Sequence, residues 1–137
     1  MTYAELESLL ANTGYPVALP GEQNVGLPAY TINPLGITVE ELFPVAYEVC
    51  EVNCRVAYGE NNSAQWDESR RMVYAAMNEF RGTPVQFDAE IDVATDIDTE
   101  PPSIAYTVRV QFPGEPICED VLHLVDVNAE IVTYLIA

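Results

Sequence analysis

The sequence predicts an α+β fold in which a mixed, mainly antiparallel sheet packs one face against a long amphipathic helix. Residues 47–58 alternate between two sets of side chains with a period of two, which is typical of a strand with one buried face. Residues 64–81 carry apolar side chains at helical spacing and predict a helix with one apolar stripe. Two further alternating segments follow, at 85–97 and 104–112. Because a half-buried strand and an amphipathic helix are adjacent in the sequence, we expect them to bury each other.

The central strand and helix each have a defined apolar face. The expected inward face of the strand consists of Cys50, Val52, Cys54, Val56 and Tyr58. The expected stripe of the helix consists of Trp66, Ser69, Val73, Ala76, Met77 and Phe80. Asn62 or Ser63 is expected to cap the start of the helix, and Gly82 lies where a helix usually ends.

The segment 85–97 has the clearest alternation in the chain. One face is apolar, from Val85 through Phe87, Ile91 and Val93, and the other is strongly acidic. The acidic residues on and just after this strand are Asp88, Glu90, Asp92, Asp96 and Asp98. A turn-like DTEPPS stretch separates it from 104–112, so the two strands are expected to pair as an antiparallel hairpin.

The N-terminal part of the chain predicts a short helix followed by a long loop. Residues 2–13 have an apolar side, and Thr2 and Glu5 fit the capping box at its start. The long loop covers residues 14–44, and its first part, residues 14–28, is rich in Gly and Pro. Within it we expect a short strand at 29–33, a turn at 34–36, and one helical turn from Thr38 to Glu41 that Pro44 ends.

Residues 115–137 predict a C-terminal β extension, so that residues 1–137 make a single α+β domain. The β-branched content of 121–136 favours strands, although Cys118, Val121, Leu122 and Val125 also have helical spacing. The last residues, IVTYLIA, are apolar on both faces. Such an end on an acidic chain should be covered, by its own domain or by a neighbouring subunit. The residues expected to make a subunit interface there are Ile131, Val132, Leu135 and Ile136.

The charge balance excludes several classes of function. The chain has 22 acidic residues against 5 basic ones, and its net charge is −17. A basic patch that binds phosphates is therefore not expected, and an anionic membrane would repel the chain. No apolar run reaches the ~20 residues of a membrane span, and the start of the sequence does not resemble a signal peptide. Three interpretations of the acidity remain: solubility, a basic partner, or a surface that must not bind nucleic acid.

The residues that usually perform catalysis or bind metals are poorly placed in this sequence. Carboxylates on one strand face point in parallel, about 6.6 Å apart, whereas calcium sites fold their oxygen ligands around one point. Cys50 and Cys54 are four residues apart on one strand, about 13 Å, which is too far for a disulfide or a shared zinc ion with Cys118 and His123. Neither a nucleophile elbow nor a phosphate-binding glycine loop is present. We expect reduced core thiols, no metal, no cofactor and no enzymatic activity.

Two arginines on the predicted helix have two interpretations. Arg70 and Arg71 follow Asp67 and Glu68, which allows ion pairs at helical spacing on a solvated face. They can equally contact an acidic neighbour, which matters more in a chain where basic residues are scarce. Arg70 and Arg71 are therefore also expected at a subunit interface.

One part of the chain resembles a known family. The strand CEVNCRVAYG, the helix SRRMVYAAMNEFRGTPV and the strand pair ending in PSIAYTVRVQFPG together resemble the tail-terminator proteins of long-tailed bacteriophages and related neck and tail-completion proteins. The resemblance covers residues 1–114. The long segment 14–44 and the tail after Gly114 depart from the family pattern.

This resemblance implies a structural protein of the virion, made in the host cytoplasm. Its members form a hexameric ring at the head-proximal end of the tail tube, stop tube growth and join the tail to the head. The implied partners are other copies of the chain, the tail tube protein and head-side neck proteins, with DNA passing through unbound. In such a ring the acidic face is expected either to line the channel or to face outwards and aid solubility. The candidate channel-facing residues are Asp88, Glu90, Asp92, Asp96 and Asp98. Two alternatives stay open: another neck, connector or tail-completion protein, and an acidic interaction protein outside the virion that mimics nucleic acid.

Overall fold

The computed structural model describes residues 1–20, 26–39, 45–59, 62–87, 91–96 and 101–116. The α+β class with a mixed sheet, one short N-terminal helix and one longer helix is confirmed. The described elements, in chain order, are α1 (Tyr3–Ala11), β1 (Val17–Ala18), β2 (Ala29–Val39), β3 (Val45–Ala57), α2 (Ser63–Phe80), β4 (Gln86–Phe87), β5 (Asp92–Asp96) and β6 (Ser103–Pro116).

The described strands form one sheet in the order β1-β2-β3-β6-β4, and β5 pairs with β6 on the same side as β4. β1 runs parallel to β2, and every other described pair is antiparallel. The long strands β2, β3 and β6 make the centre, where Cys54 lies between Tyr30 and Tyr106. The expected pairing of the acidic segment with the following strand is confirmed by the register of β5 on β6.

The core lies between one face of the sheet and the two helices. Cys50, Val52, Cys54 and Val56 are buried there as expected, whereas Tyr58 lies beyond the end of β3 and is largely exposed. The expected stripe of α2 is buried at Ser69, Val73, Ala76 and Phe80 and half-buried at Trp66 and Met77, and it also includes Met72. From α1, Leu6 and Leu10 complete this core.

Both helices begin and end close to the expected residues. The Thr2 hydroxyl oxygen caps α1 by accepting a hydrogen bond from the Glu5 amide at 3.2 Å. Asn62 is the residue before α2, but its side chain accepts a hydrogen bond from the Gly59 amide at 2.8 Å and does not cap the helix. Gly82 follows α2 with φ 76°, a left-handed conformation that glycine adopts without steric cost.

Two polar side chains connect α2 to the sheet within the core. The Ser69 hydroxyl donates to the Cys54 carbonyl oxygen at 2.7 Å and accepts from the Tyr106 amide at 2.9 Å, so it bridges β3 and β6. The Tyr30 hydroxyl donates to the Met72 carbonyl oxygen at 2.6 Å. Because buried polar groups are costly when they have no partner, these hydrogen bonds define the position of the helix on the sheet.

The predictions of a turn at 34–36 and of a helical turn beginning at Thr38 are wrong. β2 continues through this region to Val39, with only a register shift between Pro34 and Gly36. Thr38 pairs with Tyr47 and Val39 pairs with Ala46. The long antiparallel partner strand therefore outweighs the local turn and capping signals, which are weak on their own. Glu41 and Pro44 lie outside the described residues.

The segment 85–97 does not form one continuous strand. It gives two short strands, β4 and β5, on the same edge of β6. Four residues lie between Phe87 and Asp92, but only two lie between their partners Val110 and Thr107, so the pairing with β6 cannot run on without a break. β6 is longer than expected and extends to Pro116. Residues 117–137, where the strand and helix alternatives for the tail fall, lie outside the described ranges.

Candidate assembly surfaces

The outer edge of β2 exposes three large apolar side chains. Leu35, Ile37 and Val39 are 42%, 62% and 54% exposed. By register, Ile37 is opposite Glu48, which is opposite Phe112, so Ile37 lies on the face of the sheet that carries the helices. The sequence contained a signal for this surface, since Ile37 and Val39 alternate with Thr38 as strand residues do, but the capping pattern obscured it.

Much of that edge has no neighbouring strand in the described structure. β1 pairs with Tyr30 and Thr31, and among the described residues no strand pairs with the outer edge from Ile32 to Val39. A strand edge of this kind presents backbone donors and acceptors that can pair with another chain. The combination with exposed apolar side chains makes this edge a candidate contact surface.

The opposite edge of the sheet is β5, and it is acidic. Asp92 and Asp96 are exposed, and their register partners Thr107 and Ser103 place them on the face away from the helices. Val93 points to the helix side and is 59% exposed. The structure thus brings Asp92 and Asp96 onto one face as the sequence predicted, while Asp88, Glu90 and Asp98 lie outside the described residues.

The outer face of α2 carries Arg70 and Arg71. Arg70 pairs with Asp67 at 3.2 Å, and the Arg71 Nε donates to Glu68 at 3.1 Å. The Glu68 carboxylate also accepts a hydrogen bond from the Tyr15 hydroxyl at 2.8 Å. The Arg71 guanidinium, followed by that hydroxyl, holds the pKa of Glu68 below its usual value. Because exposed ion pairs of this kind contribute little to stability, both arginines can exchange partners in an assembly.

The face of the sheet away from the helices is polar. Side-chain hydrogen bonds cross its strands between Arg55 and Ser103 (3.0 Å), Thr107 and Asn53 (2.7 Å), and Gln111 and Gln86 (2.9 Å). Both described helices lie on the other face. This face is not uniformly open to water, because Ala29, Ser103, Ala105 and Thr107 lie on it and are buried.

The described thiols are structural. Cys50 and Cys54 are reduced and fully buried, and burial raises the pKa of each to about 12. A thiol with such a pKa is a poor nucleophile because the thiolate is the reactive form. Among the described residues, no group of three or more His, Cys, Asp or Glu side chains is placed to hold a metal ion. Cys118 and His123 lie outside the described ranges.

One open groove, of about 530 Å³, lies between α1 and the turn after α2. Its lining includes Leu9 and Pro84, and Glu5 is its one ionisable side chain. Binding sites for small molecules usually combine an enclosed apolar pocket with several convergent polar groups. Glu5, Ser8, Asn12 and Thr83 supply polar groups here, but the groove is open to solvent rather than enclosed. In the described part of the chain, no helix is both long enough and apolar enough to span a bilayer.

No protein-family model and no curated protein matched the chain. The expected interface residues Ile131, Val132, Leu135 and Ile136 lie outside the described residues, so their role remains a prediction. The described structure offers two other candidate contact surfaces, the β2 edge at Ile37 and the β5 edge at Val93. These edges, rather than a catalytic cluster, are the features from which a function can be argued.

Proposed function

We propose that this protein is a structural subunit of a tailed-phage virion, a tail terminator that forms a ring, ends the tail tube and joins it to the head. The observation that supports the proposal best is the sheet with two unprotected edges in its described part. Each edge carries an exposed apolar side chain, Ile37 on β2 and Val93 on β5. Soluble monomers usually protect such edges, so two of them on one small domain favour a protein that assembles with its own copies.

The proposed partners are the tail tube protein and head-side neck proteins, with DNA passing through the ring. The net charge of −17 supports a surface that does not bind DNA. If Asp92 and Asp96 line the channel, a ring repeats them in every subunit and keeps the DNA away from the wall. This repulsion acts over about 8 Å at physiological ionic strength and weakens as salt is added. If they face outwards, they contribute only to solubility.

Tail assembly in vitro tests the terminator role directly. Tube protein polymerised without this protein should grow past the normal tail length, and the purified protein should stop growth and mark one end of each tube in electron micrographs. If the tubes keep the same length when this protein is added and it is not found at their ends, the proposed terminator role is contradicted. Ends that are capped but do not accept heads would indicate another neck or tail-completion protein instead.

The channel hypothesis has its own test. Particles assembled with Asp92→Lys and Asp96→Lys together should still join heads to tails but should eject DNA more slowly, most clearly at low salt. Glu7→Lys on α1 is the control for added positive charge and should leave ejection unchanged. If the double variant ejects DNA at the normal rate at low and physiological salt, the acidic edge lies outside the channel.

The acidity also favours a second function, an interaction protein that mimics nucleic acid and occupies a basic partner. Asp92 and Asp96 are exposed on one face of one strand, where a basic partner could contact both. The oligomeric state separates the two proposals, because a ring favours the terminator and a stable monomer favours the mimic. Light scattering on the purified protein measures the oligomeric state.

For either function we expect no hydrolase or transferase activity. A carboxylate substitution that abolished such an activity in a folded variant would contradict this expectation.

A further inference from the structure

We infer that copies of this chain join edge to edge, with β2 of one copy pairing with β5 of the next copy, so that the sheet continues from subunit to subunit. The inference rests on the ring assembly proposed above and names its contact. It uses the two edges that the described structure leaves without a neighbouring strand, Ile32–Val39 on β2 and the outer side of β5. A head-to-tail contact between two different surfaces of one chain generates a closed ring when its rotation closes.

The apolar residues on the two edges point to the same side of the sheet. Ile37 shares a row with Glu48 and Phe112, and Phe112 packs against Tyr3 of α1. Val93 is opposite Tyr106, whose ring lies 5.0 Å from the ring of Trp66 on α2. Both side chains therefore lie on the helix side. A sheet that continues across the contact brings them onto one face, where they can bury each other.

The charges favour a contact in which β2 of one copy pairs with β5 of the next, rather than one in which two β5 strands pair. β2 has no charged residue over its whole length from Ala29 to Val39. β5 carries Asp92 and Asp96 within five residues. Two β5 strands paired together would bring these carboxylates close to one another, and like charges on paired strands are destabilising. An uncharged strand is thus the better neighbour for the acidic edge.

The fold also defines the direction and the offset of the contact. Along the sheet β2, β3, β6 and β5 alternate in direction, so β5 of the next copy runs antiparallel to β2 when the sheet continues without inversion. β1 already pairs with Tyr30 and Thr31, so the incoming strand can pair only from Ile32 onwards. Each copy is therefore displaced along the strands, towards Val39. A stagger between neighbouring strands is also required when a sheet closes on itself.

Cysteine cross-linking tests the contact with matched positions. Ile37, Val93 and the control Tyr74, on the outer face of α2, are 62%, 59% and 61% exposed. In a Cys118→Ser background, Ile37→Cys protein is mixed with Val93→Cys or with Tyr74→Cys protein. A bis-maleimide is added that spans the ~7–8 Å between diagonal neighbours on paired strands. The buried Cys50 and Cys54 should not react, because their pKa is raised to about 12.

We expect the Ile37–Val93 mixture to give at least about tenfold more cross-linked dimer than the Ile37–Tyr74 mixture, since an interface raises the effective concentration of the two thiols. A chain with both Ile37→Cys and Val93→Cys should give a ladder on a denaturing gel that ends at the number of copies in the ring. Val39→Cys, on the same face as Ile37, replaces Ile37→Cys if circular dichroism shows that the latter is unfolded.

The other outcomes each contradict the inference in a distinguishable way. If Ile37→Cys protein cross-links mainly with itself, the contact is a two-fold pairing of β2 strands and the ladder ends at a dimer. If light scattering shows an oligomer but no Ile37–Val93 product forms, the ring proposal is retained and the edge contact is rejected. Another surface, such as the C-terminal segment, then forms the contact between copies. If the wild-type chain stays monomeric at high concentration and no product forms, the ring proposal fails together with the edge contact. Equal products with Val93 and Tyr74 indicate random collision.

Discussion

The two halves of β2 are one strand in two different environments. Ala29–Ile32 is largely buried, whereas Asn33–Val39 is exposed throughout, although both halves pair with β3. Ile32 is 1% exposed and Ile37 is 62% exposed, and both point towards the helix side of the sheet. The difference shows that strand pairing determines the backbone conformation, while the position of the helices determines which side chains on the helix side are buried. The second half of β2 is therefore a surface for a partner rather than part of the core.

The largest expected effect comes from the matched pair Ile32→Ala and Ile37→Ala. Ile32→Ala should lower the free energy of unfolding by about 2–5 kcal/mol, because it leaves a cavity in the core. Ile37→Ala should cost no more than about 1 kcal/mol, because an exposed strand position loses mainly β-propensity. Urea denaturation of the dilute protein measures both. Equal losses would mean that Ile37 is also covered, and the proposed contact surface would be lost.

Within the covered region, Ser69→Ala should cost about 1–3 kcal/mol, because it leaves the Cys54 carbonyl and the Tyr106 amide without their buried partner. Ser8→Ala, on the exposed side of α1, is the control and should change the free energy of unfolding by less than about 0.5 kcal/mol. Denaturation under the same conditions compares the two variants. A Ser69→Ala protein as stable as the control would show that the strands re-form their own hydrogen bonds when the hydroxyl is removed.

The buried thiols make the covered region sensitive to alkaline pH. Burial raises the pKa of Cys50 and Cys54 from 9.0 to about 12, so the folded protein holds two protons that the unfolded chain releases. Stability is therefore complete below pH 9.0 and falls as the pH rises from there towards 12. The loss should be at most about 1.4 kcal/mol per pH unit for each thiol.

Denaturation series between about pH 8 and pH 10 test this dependence, and Cys54→Val is the matched control. Valine has a similar size and no proton to lose, so the variant should lose stability less steeply than the wild type above pH 9.0. The pKa values of Tyr3, Tyr15 and Tyr30 are also raised, mainly by burial, so these residues add the same loss to both proteins as the pH approaches 10. An identical slope in the two proteins would show that Cys54 does not contribute to the pH dependence.

The smallest effect is expected on the exposed face of α2. Arg71→Gln removes the main cause of the lowered pKa of Glu68, so this pKa should rise towards its ordinary value. Arg70→Gln should leave it unchanged, because Arg70 pairs with Asp67 instead. Carboxyl NMR titration measures both. If Glu68 titrates identically in the wild type and the Arg71→Gln variant, the hydrogen bond from Tyr15 would be the dominant influence on this carboxyl.

Much of the fold follows from patterns that are local in the sequence. The period of two at Cys50, Val52, Cys54 and Val56 predicts the inward face of β3, and the helical spacing from Ser69 to Phe80 predicts most of the face of α2. The alternation in the acidic segment likewise predicts that Asp92 and Asp96 share one face and Val93 lies on the other. These features are predictable because the side-chain direction along a strand or helix depends only on the backbone period.

The extent of β2 and the exposure of its second half were decided only by the tertiary structure. Pro34, Gly36 and the capping pattern at Thr38 favour a turn and a helix, yet thirteen-residue β3 offers a continuous line of hydrogen-bond partners and extends the strand to Val39. Which of its isoleucines is buried then depends on where two helices from other parts of the chain end. In β3, α2 and β5 the sequence by itself determined the direction of the side chains. Long-range packing decided where β2 ends and whether a side chain lies in the core or at an edge open to a partner.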